Sequence, residues 1–109
     1  MEHCEYKTLH HSEYGYVVQC KNCDSYQVAF GNVMLNLLPA EYKALKDHLW
    51  LQISSRAKCD ERRSKNINVP TDSFRVSMVF SAEEVEQFYD LLQQAQLMTQ
   101  VYESLNNHN

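Results

Sequence analysis

A chain of 109 residues has the size of one domain, 1–109, folding around a single core without covalent staples. Hydrophobic residues at 44% and charged residues at 22% exclude a disordered segment, and no apolar run nears the ~20 residues of a bilayer-spanning helix. The net charge of −4 comes with no broad basic face, which argues against binding a nucleic-acid backbone.

Met1 to His11 carries Glu2, Glu5 and three histidines and lacks the apolar core of a secretory signal, so a cytoplasmic setting is expected, with its cysteines reduced. The first third then reads as β-structure. Tyr6 to Leu9 and Tyr16 to Cys20 flank a polar turn, Ser12-Glu13-Tyr14-Gly15. Tyr26, Val28 and Phe30 alternate with Gln27 and Ala29, the period of a half-buried strand. The alternation resumes at Val33, Leu35 and Leu37, so Gly31-Asn32 is read as a bend within a long β region, with a hairpin turn as the alternative.

At Pro39 the period changes. Tyr42, Leu45, Leu49 and Ile53 recur at three- to four-residue steps and predict an amphipathic helix to about Ser54. Ser55 to Asp72 is polar, carries Arg56, Lys58, Arg62, Arg63 and Lys65, and has one short edge strand at Ile67 to Val69. An exposed connection of mixed charge accounts for it better than an RNA contact. Phe74, Val76, Met78 and Phe80 predict a further strand.

Ser81 followed by Glu84 matches a capping box and starts the last helix, with Glu83, Glu84 and Glu86 at the positive end of its dipole. Val85, Phe88, Leu92 and Ala95 form its apolar stripe. At ~100° per residue, Leu91, Met98, Val101 and Leu105 fall on a rotated second face. That face either packs within the domain or meets a partner, here a second copy. From Val76 onward there is no Lys or Arg. The segments 33–41 and 76–84 also echo one another as strand, cap and acidic first turn, which suggests two helices on one face of a shared sheet.

Cys20-Lys21-Asn22-Cys23 is the motif with chemistry behind it. Two thiolates three positions apart in a turn between strands supply two corners of a zinc tetrahedron. Cys4 is the third metal-ligand candidate, since a first hairpin would return the chain to Cys20; His3, His10, His11 and Cys59 compete for the fourth corner. Adjacent His10 and His11 would point to opposite faces of a strand, so a solvated turn suits them better. Packed thiols without metal are the plain alternative. Redox catalysis fits less well, because no helix follows Cys23 to depress its partner's pKa. His48 receives no role, and Trp50 with the dispersed tyrosines reads as core and sheet-face packing. No phosphate-binding glycine loop or nucleophile elbow exists with only Gly15 and Gly31 available, so catalysis is not expected.

The stretch Leu9 to Leu49 resembles a family of small uncharacterised bacterial proteins. The matching residues are Cys20-x-x-Cys23, Phe30-Gly31-Asn32, the apolar strand after them and the Glu41-Tyr42 helix start, with Cys4 upstream. The resemblance implies a shared strand, cysteine turn and bend, and no catalytic residue.

The expected fold is α+β: an antiparallel sheet of four to five strands with two helices packed on one face. Two function classes follow. One is a small interaction protein, a homodimer through its C-terminal helix, with a structural zinc or thiol turn. The other is a thiol-based redox or metal-handling protein that uses Cys20 and Cys23.

Overall fold

Residues 5–55 and 62–106 are described by the computed structural model. Strands β1 (Tyr6–Ser12), β2 (Gly15–Cys20), β3 (Tyr26–Phe30) and β4 (Val33–Leu37) form an antiparallel meander in the order β1-β2-β3-β4. Alternation directs Leu9, Val17, Val28 and Phe30 to one face, where all four are buried. Helices α1 (Pro39–Ser55) and α2 (Ala82–Asn106) cover that face, α2 against β1 and β2 and α1 beside β4. The α+β class and the one-sided helical layer are therefore found as expected.

Strands β5 (Ile67–Pro70) and β6 (Ser77–Phe80) pair only with each other, in a separate two-stranded sheet. A lone hairpin is marginal in water. This one is held by burying Ile67, Val69, Met78 and Phe80 in the common core. Phe88 of α2 stacks on Phe30 at 4.5 Å between centroids, and Phe80 meets both rings edge-on at 5.6 and 5.7 Å. Three aromatic side chains thus join sheet, hairpin and helix.

Several expectations change. Gly31-Asn32 is a hairpin turn rather than a bend: Phe30 pairs with Val33, and β3 and β4 run antiparallel. Gly31 has φ +57° and Asn32 is not left-handed, the sign pattern of a type II′ turn. The strand expected from Phe74 begins only at Ser77, because Thr71 to Val76 forms the hairpin loop and leaves Phe74 89% exposed. The echoed units do not share a sheet, since β4 pairs with β3 and β6 with β5. Their caps nonetheless match. Glu41 accepts the Leu38 N–H at 2.7 Å, and Glu84 accepts the Ser81 N–H at 2.9 Å.

Leu91 belongs to the core rather than to the outer face of α2. It adjoins Leu92, ~100° around a helix wedged between sheet and α1, so a wide arc is buried. Trp50 is half-exposed instead of core, with its ring 5.3 Å from that of Tyr89. His10 and His11 lie in β1 and not in a turn, because β1 extends to Ser12. A bulge at Leu9, with Thr8 opposite Val18 and His10 opposite Val17, keeps β1 in register.

Candidate functional site

Cys20 is the last residue of β2, and Lys21 to Cys23 turn the chain toward β3. The turn is closed by backbone bonds. Cys20 N–H donates to Ser25 C=O at 2.8 Å, and Asp24 N–H donates to Cys20 C=O at 3.3 Å. Asp24 takes the left-handed φ of 62° that this return requires. The two sulfurs therefore sit in a bend between extended segments, as the flanking sequence indicates. Lys21 N–H also donates to Glu5 C=O at 2.8 Å, and Tyr6 pairs with Cys20, which anchors the start of β1 on the turn.

The environments of the two thiols differ. Cys20 is out of phase with Val17 and faces away from the helices, yet it is 1% exposed. Cys23 is exposed, with Sγ 3.0 Å from Ser25 Oγ. Cys4, His3 and Cys59 lie outside the described residues. His10 and His11 pair with Val17 and Tyr16, four and five positions along β1 from Tyr6. That is roughly 13–17 Å at the strand rise, too far for a shared ion. Among the described residues, no group of three or more His, Cys, Asp and Glu side chains converges.

The described part of the basic segment faces the acidic first turn of α2. Lys65 Nζ is 2.8 Å from Glu84, Arg63 is 3.8 Å from Glu83, and Arg62 pairs with Glu86. These cations are engaged within the molecule. Burial alone would raise the Glu84 carboxyl's pKa, but the Lys65 ammonium and the Ser81 backbone N–H outweigh it and hold it below its usual range.

Between α1 and α2, Tyr42 donates its buried hydroxyl to Leu92 C=O at 2.8 Å, and its ring lies 4.4 Å from Tyr26. Burial first, and then the neighbouring Tyr26, push this hydroxyl's pKa far above its ordinary value. Further along α2 full burial ends at Ala95, and Tyr102 packs half-buried against the core with Lys7 Nζ 4.5 Å from its ring centroid. The helix continues to Asn106, and Leu97, Met98, Val101 and Leu105 are exposed along one side of it. The sequence identifies three of these four residues by period alone.

The described residues thus form an α+β protein with helices on one face of a meander and an appended hairpin. No helix among them is long and apolar enough to cross a membrane. The chain belongs to a family of unknown function, DUF6686, whose model matches residues 1–109. That match reaches well beyond the Leu9 to Leu49 stretch that carries the resemblance. Comparison with curated proteins and with solved structures finds no match.

Proposed function

We propose that this is a small non-catalytic interaction protein that binds a second copy of itself through the C-terminal half of α2. The supporting observation is the mismatch between core and helix length. The last fully buried residue is Ala95, and beyond it Tyr102 is half-buried against the core, yet the final three turns carry four exposed apolar side chains on one side, with Leu105 at 65% exposure. The inner side of these turns is held by Tyr102, but the outer side gains nothing from the core, whereas a facing helix would bury its stripe. Sedimentation velocity tests the reading. The protein sediments as a dimer at high concentration, and Val101→Asp weakens association at least about tenfold with an unchanged circular dichroism spectrum. A wild-type protein that stays monomeric overturns it.

A second reading concerns the cysteine turn in a reducing, cytoplasmic setting. Its support is that Cys20 and Cys23 close a bend between strands, with the start of β1 hydrogen-bonded beside them. Such a turn suits a structural zinc ion held by Cys4, Cys20, Cys23 and a fourth donor. Thiol-based redox or metal handling by Cys20 and Cys23 is the competing use. Native mass measurement with and without chelator separates the two: one zinc per chain and a chelator-induced drop in Tm support the structural ion. A metal-free, stable protein whose pair cycles between thiol and disulfide supports the redox use.

A further inference from the structure

The two sheets leave a groove between them. One wall is the free edge of β4; the other is β6, with the β5–β6 loop continuing it. The cleft beside β6 measures about 590 Å³, and its floor is apolar, built from Phe30, Leu35, Met78 and Phe80. A second cleft of about 390 Å³ shares Leu35 and Met78 and continues toward α1. Together they run the whole length of β4.

Hydrogen-bond phase decides what each edge presents. Gly31 N–H donates to Tyr14 C=O at 3.2 Å, so β3 bonds β2 through Ala29 and Gln27 and bonds β4 through Phe30, Val28 and Tyr26. Their partners on β4 are Val33, Leu35 and Leu37. The N–H and C=O groups of Met34 and Asn36 therefore point out of the sheet, into the groove. On the hairpin, Thr71 N–H donates to Val76 C=O at 3.4 Å, which makes Val69–Met78 and Ile67–Phe80 the bonded pairs. Ser77 and Val79 then turn their backbone groups away from β5, toward the same groove.

Edges that face outward are treated differently. β1 carries the Leu9 bulge, and β5 carries Pro70 at a position whose N–H would otherwise point out to the free edge. Bulges and edge prolines are the devices that prevent strand addition. In the described chain they stand on the two outer edges. The two inner edges, β4 and β6, have no such device.

We propose that the groove between β4 and β6 receives an extended peptide segment of a partner protein, which adds one strand bonded to both edges. Alternate side chains of the guest pack on the Phe30, Leu35, Met78 and Phe80 floor, while the others remain in water. Its length is about that of β4, some five residues. The charges along the groove set its polarity. Lys65 and Glu84 pair with each other at the β6 end. Glu41 and Asp72 at the α1 end meet no cation among the ion pairs of the described residues. The guest is thus an apolar-alternating strand with Lys or Arg at one end.

Selection of short random linear peptides displayed on phage tests this directly. Enriched peptides are expected to share apolar residues at every second position and a basic end. They perturb the amide resonances of Met34, Asn36, Ser77 and Val79. Val79→Pro deletes a groove-facing N–H and no bond of the hairpin, and it weakens binding about tenfold or more. Backbone N-methylation of the enriched peptide has the same effect on the unaltered protein, so the test holds even if the proline variant fails to fold. Absence of enrichment overturns the proposal. So do peptides of helical period that bind the proline variant equally well, or concentration-dependent protection of Met34 and Asn36 without peptide, which would put a second copy in the groove.

Discussion

At the scale of single residues, two positions are held by contacts with no slack. A Cβ on Gly15 would stand 1.8 Å from the carbonyl oxygen of Ala29, a backbone atom that cannot move without breaking the β2–β3 ladder. Gly15→Ala should therefore lower stability by well over ~1 kcal/mol, readable as a fall in Tm of several degrees. Tyr42 acts through its hydroxyl. Tyr42→Phe removes the bond to Leu92 C=O and should cost about 1 kcal/mol in denaturant unfolding. Because the folded hydroxyl's pKa is raised above the ordinary value of 10.0, its contribution is complete below that pH. It is lost as pH rises through the folded value. The alkaline decline in Tm should be shallower in Tyr42→Phe than in the parent protein.

Elements show where the sequence is legible and where it is not. The start of α2 could be read directly, since Ser81 and Glu84 form both reciprocal bonds, at 2.9 and 3.1 Å. Ser81→Ala should cost about 1 kcal/mol. Glu84 adds a pH signature: with its carboxyl held low, its stabilisation is complete above the ordinary 4.5 and fades as pH falls through the lowered folded value. Glu84→Gln should flatten that acid limb of the Tm profile. The outer strand boundary was not legible. Phe74 and Val76 continue the alternation of Met78 and Phe80 perfectly, but the loop needs them, and periodicity does not reveal where a turn closes. Leu91 was misplaced for a related reason: a stripe drawn from one face cannot anticipate two neighbours packed on both sides.

For the molecule as a whole, the part that escaped the sequence is the relation between the sheets. Met34, Asn36, Ser77 and Val79 are unremarkable in a string of letters. Their significance comes from hydrogen-bond phase, which depends on which strands pair. Pro70 carried the one readable hint, because a proline ending a strand signals an edge. The cysteine turn was legible because its flanks are local. The hairpin depends on the Phe30, Phe80 and Phe88 cluster and has no strand neighbour beyond itself. It should open before the meander does. Native-state hydrogen exchange at Val69 and Met78 is expected to show less protection than at Val17 and Val28.

The absence of Lys and Arg from α2 has a consequence for ionic strength. Its first-turn acids are neutralised by Arg62, Arg63 and Lys65, but Asp90, on the same side as Leu97 and Val101, meets no cation among those pairs. Two such helices brought together repel across the Debye length, which shrinks from ~30 Å at 0.01 M salt to ~8 Å at 0.15 M. Self-association should accordingly tighten as salt is added, whereas a contact made by opposite charges would loosen.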